Sequence, residues 1–342
     1  TIPGNMYFTT TRLHQELAGG AFVDVILHEA HDPTSLHPLK GNVDLDKLEA
    51  QIRRVGPENI PYVSLAGTVN MAGGQPVSMA NVKALRALFD RYGVRIYLDA
   101  TRKAENSYFI QQREEGYAEK SVAEILREFC SYTDGAWMSA KKDKLVNIGG
   151  WMSVNDYDLY YQLRNMVVIY EGLHNYGCMA VRDMEALAIG IVEGFQDDHI
   201  RSRVGQVLYL GDLLICWDIP IVRPVGGHGI FLDAKGFYPH IPQDQFPAQI
   251  LAAELYLDSG VRGMERGIVS AGRDPETGEH RHPALELMRL AIPRRVYTQA
   301  HMDVVAEAVK AAYDAREQVR GLKMVYEPRY LRFFQARFER IT

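Results

Sequence analysis

The chain has 342 residues, 47% apolar and 24% charged, with a formal net charge of −5. That length exceeds what one hydrophobic core usually serves, so two domains are expected, and the mild acidity excludes nucleic acid and anionic membrane surfaces as expected partners. No apolar run approaches the roughly 20 residues of a membrane helix, no signal-like segment opens the sequence, and three cysteines without a CxxC pair point to a reducing, cytoplasmic setting.

Strand-like and helix-like patterns alternate in the first half. "NIPYVSLAGTVN" is β-prone, and the turn-rich "MAGGQPVS" separates it from "MANVKALRALFDRYG". There Val82, Leu85, Leu88 and Phe89 fall at helical spacing and Gly93 marks the stop. "VRIYLDATR" reads as a buried strand, "SVAEILREFCSYT" as an amphipathic helix and "GAWMSA" as the next strand. This alternation predicts an α/β fold with right-handed crossovers and a mostly parallel sheet, whose ligands bind beyond the carboxyl ends of the strands. Asp99 and the pair Lys141–Lys142 lie at such ends. The second half is predicted to hold one long helical segment from "DMEALAIG" to "LLICW". Short strands follow in "PIVRPVGGHGIFLDA", "VRGMERGIVSA" and "LELMRLAIP", with helices "FPAQILAAELYLDSG" and "QAHMDVVAEAVKAAYDAREQVRG" between and after them. We read residues 1–195 as a large domain and 196–342 as a smaller α+β domain.

A lysine in water has a pKa of roughly 10.4 and is a poor nucleophile at neutral pH; desolvation and a cationic neighbour both lower it. Lys141 beside Lys142 therefore suits one amine to Schiff-base chemistry. Pyridoxal phosphate needs such a lysine, a carboxylate against its ring nitrogen and anion donors around its phosphate, and Asp99 could supply the carboxylate. A solvated lysine pair and a helix-capping aspartate are the plain alternatives.

Eight blocks carry a resemblance: "GNMYFTTTR", "VNMAGGQPVSMAN", "LDATRKAENSYFI", "MSAKKDKLVNIGG", "FPAQ", "GVRGMERGIVSAGR", "RLAIPRRVYTQAHMDVV" and "YEPRYLRFFQARF". In order, and over essentially the whole chain, the sequence resembles the tryptophanase/tyrosine phenol-lyase family of pyridoxal-phosphate enzymes. The resemblance implies fold type I, of the aspartate-aminotransferase kind, with a small domain closing over an amino-acid substrate. It makes Lys142 the Schiff-base lysine and base for the α-proton, with Lys141 beside the cofactor. Asp99 becomes the partner of the ring nitrogen, and Asn70 and Arg102 become donors to the cofactor's phenolic oxygen. Phe8 would stack on the ring, Ser139 would bind phosphate, and Arg289 would clamp the substrate carboxylate. His228 and Tyr176 fall near the substrate by the same match.

Within that family the leaving group is indole or phenol. Arg266 in "MERG", with Met264 beside it, Phe333 in "LRFF" and Thr9 in "YFTTTR" follow the phenol-lyase pattern. An arginine buried against an aromatic substrate is costly unless it meets an oxygen, which argues for a hydroxylated ring; a salt bridge from Arg266 to Glu265 is the plain alternative. Tryptophanase chemistry, cysteine-type β-elimination, transamination and a non-catalytic subunit are the other functions to weigh. Family members carry a segment ahead of the point where this sequence begins. That segment holds a phosphate cup, a tyrosine acting as general acid and most of a monovalent-cation (K+) site to which Asn147 would contribute. The resemblance therefore leads us to expect a small companion polypeptide supplying that segment, within a tetramer-like oligomer, a truncated chain being the alternative. "HNYGCMAVRDMEA" departs from the family, placing Cys178 and Val181 where glycines are usual, and Lys103 stands where an uncharged residue is usual.

Overall fold

The computed structural model describes residues 1–342. Its larger sheet has six strands: β1 (Ile2–Gly4), β2 (Phe22–Asp24), β3 (Val63–Ala66), β4 (Ile96–Asp99), β5 (Gly135–Ser139) and β6 (Gly150–Val154). They lie in the order β2-β1-β3-β4-β5-β6. The pairings from β2 to β5 are parallel, and β6 returns antiparallel along β5, with Ser139 opposite Gly150. Val63, Leu65, Ile96 and Leu98 are fully enclosed, as befits central strands covered on both faces.

The crossovers form for local reasons. In the helix Met79–Tyr92 the Ser78 hydroxyl accepts from the Asn81 amide at 2.9 Å, and Gly93 ends the last turn at φ 68°. Val82, Leu85, Leu88 and Phe89 point into the core, each burial contributing roughly 1.5–3 kcal/mol. The helix Val122–Cys130 starts with a capping box between Ser121 and Glu124. Because β4 and β5 run in parallel with Asp99 opposite Trp137, the sheet delivers Asp99 and the Lys141–Lys142 loop to the same rim.

The long helical segment expected after residue 182 is two helices, Val181–Glu193 and Asp197–Cys216. The break has a cause. The Asp197 carboxylate turns away to accept from the Val122 amide at 2.9 Å, capping the neighbouring helix, and Gln196 is extended to let it do so. Gly190 and Gly194 press against the loop after Lys142: a Cβ on Gly190 would lie 1.9 Å from the Lys144 carbonyl oxygen, and one on Gly194 2.3 Å from that of Asp143.

The smaller sheet is antiparallel, β7 (Gly229–Asp233), β8 (Met264–Arg266) and β9 (Leu287–Ala291) in the order β7-β9-β8, and β10 (Leu322–Tyr326) pairs with β11 (Arg337–Arg340). "GIVSA", expected to extend a strand, is instead the helical turn Ile268–Ala271. The buried Glu265 carboxylate takes the amides of Gly267, Val269 and Ser270 and bends the chain. One apolar core lies under the large sheet and another around the small one. Ala104 and Phe109 meet Ile200 and Val204 where the helix Asp197–Cys216 leans on the helix after β4.

Lys103 is fully buried, its amine 2.9 Å from the centre of the Phe129 ring and without a hydrogen-bond partner. Burial pushes its pKa well below the ordinary lysine value. The unfolded chain therefore holds a proton there that the folded chain rejects, and the resulting penalty fades as pH rises toward the ordinary lysine range. Lys103→Met should stabilise the protein by about 1–4 kcal/mol near neutral pH, and by less at pH 9.5. Denaturant titrations at both pH values check the sign; a gain that grows with pH refutes it.

Candidate active site

Beyond the carboxyl ends of β3, β4 and β5 the structure gathers side chains from both sheets. Asp99 ends β4, its Oδ1 accepting from the Thr101 amide at 3.0 Å. The Thr101 hydroxyl accepts in turn from the Ser139 amide at 3.1 Å, so one threonine that sequence reasoning passed over ties together the two strand ends. Arg102 follows, 8% exposed, with its Nε unpartnered. Asn70 is buried in the turn after β3. Its Oδ1 accepts from Arg289 Nη1 at 3.1 Å and lies 3.2 Å from His228 Nε2, while its Nδ2 has no partner. Burial, and then the charges of Arg102 and Arg289, keep His228 well below its usual pKa, so the neutral ring donates from Nε2 to Asn70.

Lys142 is half-buried. Burial first, then the charges of Arg102, Lys141, Arg289 and Arg294, bring its amine down to about 8. Arg289, in the middle of β9, and Arg266, at the end of β8, both point an Nη2 at the Met264 sulfur, at 3.4 and 3.0 Å. Burial followed by the Arg266 and Arg102 charges lowers the Arg289 pKa, so this guanidinium is poised for an anion.

Arg266 is 3% exposed. Its guanidinium carbon lies 5.8 Å from the Phe8 ring centre and 5.6 Å from that of Phe333. Its remaining contacts are the Glu265 carbonyl, Ser270 Oγ and the Met264 sulfur, and Nε is free. The salt bridge to Glu265 weighed above does not form, because the Glu265 carboxylate is spent on backbone amides and on the Ser270 hydroxyl. Thr9 Oγ1 and Tyr7 Oη are also buried without partners. Both line a cleft of about 580 Å³ that runs to Phe333, and Tyr7 and Arg266 line a second of about 280 Å³. Tyr7 had no signal in the sequence beyond its place beside Phe8.

The remaining sequence candidates sit further out. Lys141 and Asn147 are exposed on the loop, and no set of three His, Cys, Asp or Glu side chains is arranged to hold a metal ion. Tyr176 is 41% exposed and makes no side-chain hydrogen bond to the cluster. Cys178 keeps a left-handed backbone (φ 61°) that suits a glycine, whereas Val181 simply opens a helix.

Taken together, Lys142, Arg102, Arg289 and Arg266 converge with orphaned donors on Asn70, Arg102 and Arg289, and Asp99 is the one carboxylate among the candidate side chains. Buried donors without acceptors mark the place of an acceptor-rich, anionic ligand. A phosphorylated pyridoxal ring and an amino-acid carboxylate fit that donor set, and Asp99 fits the ring nitrogen.

The family profile described as "Beta-eliminating lyase" matches residues 1–308. The chain is 71% identical over 338 residues to the tyrosine phenol-lyase of Nostoc punctiforme, covering 99% of this chain and 72% of that one. It is 63% identical over 341 residues to the tyrosine phenol-lyase of Symbiobacterium thermophilum, covering 100% and 74%. To the tyrosine phenol-lyase of Pasteurella multocida it is 57% identical over 338 residues, covering 99% and 74%. These relatives are longer single polypeptides, so they give no support to the expected companion chain. A lysine with a depressed pKa at the strand-end rim, Asp99 on the adjacent strand and matches at this level lead to one conclusion: the chain belongs to the beta-eliminating lyase family, pyridoxal-phosphate-dependent lyases of fold type I.

Proposed function

We propose that this enzyme cleaves L-tyrosine, or a closely related hydroxylated aromatic amino acid, to phenol, pyruvate and ammonia. The observation that carries this reading is Arg266, a buried cation held between Phe8 and Phe333 with no carboxylate partner. An indole or a thiol leaving group would leave that guanidinium with only long contacts to oxygen, at the Glu265 carbonyl and Ser270 Oγ, and its Nε free, a serious penalty; a phenolic oxygen relieves it.

Pyridoxal phosphate, when bound, supplies an electron sink for negative charge developing at the substrate's α-carbon. The chain's residues do the rest. The Lys142 amine, close to half neutral near pH 8, anchors the cofactor and then takes the α-proton. Asp99 keeps a proton on the ring nitrogen, while Asn70 and Arg102 donate to the phenolic oxygen and Phe8 covers a ring face. Ser139 and Lys141 serve the phosphate. Arg289 grips the substrate carboxylate with two parallel hydrogen bonds, held in register by Asn70 and Met264. Arg266 and Thr9 bind the hydroxyl end and favour the keto form of the ring while its carbon is protonated. Phe333 walls the ring, and His228 and Tyr176 border the site. Asn147 is the residue we assign to a monovalent cation.

We place the enzyme in an oligomer, as the stretch from Tyr157 to Val192 exposes Ile169 (67%), Tyr170 (75%), Val181 (79%) and Val192 (68%), an apolar surface of the sort that meets another protein. No helix is long and apolar enough to cross a membrane, the three cysteines are free, and we assign the enzyme to the cytoplasm. The domain division we draw, at residue 195, falls in the break between the two helices. The test is chemical. Purified protein given pyridoxal phosphate and tyrosine should release phenol and pyruvate in equal amounts, and borohydride should fix the cofactor to Lys142. Pyruvate from S-alkylcysteines without phenol from tyrosine overturns the substrate; fixation elsewhere overturns the site.

A further inference from the structure

Directly behind Lys142 lies a group of charges that the reaction does not use. Asp143 and Glu105 are fully buried, and Arg294, just past β9, reaches both: its Nη2 donates to Asp143 Oδ1 at 2.6 Å and to Glu105 Oε1. Asp143 Oδ2 accepts from the Ala104 amide at 3.0 Å, in the helix that follows Asp99 and Arg102. Arg203, from the helix Asp197–Cys216, lies 3.9 Å from Glu105 and donates to the His228 carbonyl at 3.0 Å. Against the cost of burial, the Arg294 charge holds Glu105 low, whereas burial and the Glu105 charge push Asp143 up.

We propose that Arg294 is a positioning residue, which by bridging Asp143 and Glu105 fixes the backbone beside Lys142 and aims the Lys142 amine. The proposal rests on the reading of Lys142 as the reactive lysine and goes beyond it. A lysine has four flexible side-chain torsions, so its anchor is the only part the fold can hold firmly. Here the loop is open to solvent at Lys141 and Asn147 yet sealed at Asp143 and Lys144. On one side Gly190 and Gly194 touch the carbonyl oxygens of Lys144 and Asp143; on the other, Arg294 grips the carboxylate. Ionic groups this deep seldom stabilise a fold better than apolar ones, and their best-attested use is to fix one arrangement. Arg294 belongs to the small domain and its two acceptors to the large one, so the clamp also ties the aim of Lys142 to the seating of the small domain. Both bonds leave one nitrogen, Nη2, whose two hydrogens are fixed in the guanidinium plane; a lysine in its place carries the charge on a shorter stem and a freely rotating ammonium, without that fixed geometry.

Two variants test this, Arg294→Lys and the charge-balanced Arg294→Met/Glu105→Gln, the second removing one buried cation and one buried anion together should the first fold poorly. The cationic groups facing the amine are Lys141 on its own loop, Arg102 after β4, Arg289 on β9 and Arg294 itself. Turnover of tyrosine and of an S-alkylcysteine is measured with the loaded enzyme. In the cofactor-free protein, the pH midpoint of Lys142 labelling by an amine-reactive reagent is followed by peptide mass. Both variants should lose kcat by up to about 10²-fold on both substrates with KM little changed, the cost of a misplaced group. The double variant should move the labelling midpoint upward, since the Arg294 cation acts on the amine more strongly than the Glu105 carboxylate removed with it. Loss of thermal stability with kcat and midpoint unmoved, or a raised KM at unchanged kcat, overturns the proposal. If the wild type cleaves no tyrosine, that failure belongs to the substrate assignment, and the S-alkylcysteine and labelling arms still judge Arg294.

Discussion

Replacing Lys142 by arginine should abolish lysis of tyrosine, by roughly 10⁴-fold or more, although the positive charge remains. Nucleophilic attachment and general-base catalysis each rest on a nitrogen that can lose its proton, and general-base assistance alone contributes about 10²–10⁴. The Lys142 amine can do so near pH 8, because burial and four surrounding cations disfavour its charged form. A guanidinium keeps its proton under all ordinary conditions. Steady-state assays with tyrosine, together with borohydride reduction and peptide mapping, check this. An arginine variant with tyrosine turnover within tenfold of the parent would remove Lys142 from the chemistry.

Arg266→Met is the second large effect, and its signature is selectivity. Thioether-for-guanidinium replacement keeps most of the volume between Phe8 and Phe333 and removes the hydrogen-bond donors we assign to the substrate hydroxyl. Loss of one preorganised donor to developing charge costs about 10²–10³ in kcat. Tyrosine turnover should fall by at least that factor, whereas S-alkylcysteines, which carry no hydroxyl, should lose less than about tenfold. Parallel kcat/KM measurements on both substrates decide. Equal losses would mean that Arg266 supports the fold of the site and does not read the ring hydroxyl.

Much of the larger sheet and its crossover helices was legible because the signals are local. The helix Met79–Tyr92 announced itself by apolar spacing and a terminal glycine, and the positions read as core are buried. The place of Asp99 and Lys142 at one rim followed from alternation alone, since parallel strands share a carboxyl edge. What escaped was non-local. β1 and β2 are three residues each, too short for a period to register. β6 was not singled out in the sequence, and nothing in "GWMSV" says that a strand there turns back along β5. The helix break at 194–196 depends on Asp197 capping Val122, a partner 75 residues away. The turn after Arg266 depends on a buried carboxylate choosing amides over the neighbouring guanidinium. Glu105, Asp143 and Arg294 look like unremarkable surface charges until the fold encloses them. Individual candidates such as Asn70, Phe8 and Arg289 could be proposed only through the family resemblance, because what brings them together is convergence in the fold and not spacing.

The contact of Gly190 and Gly194 with the carbonyl oxygens of the loop carries a consequence for how this enzyme tolerates change. Those two positions hold no functional group, yet a single added methyl at either has nowhere to go except into the backbone just after Lys142. In a library of random variants scored on turnover, they would stand out as sharply as the residues of the chemistry itself.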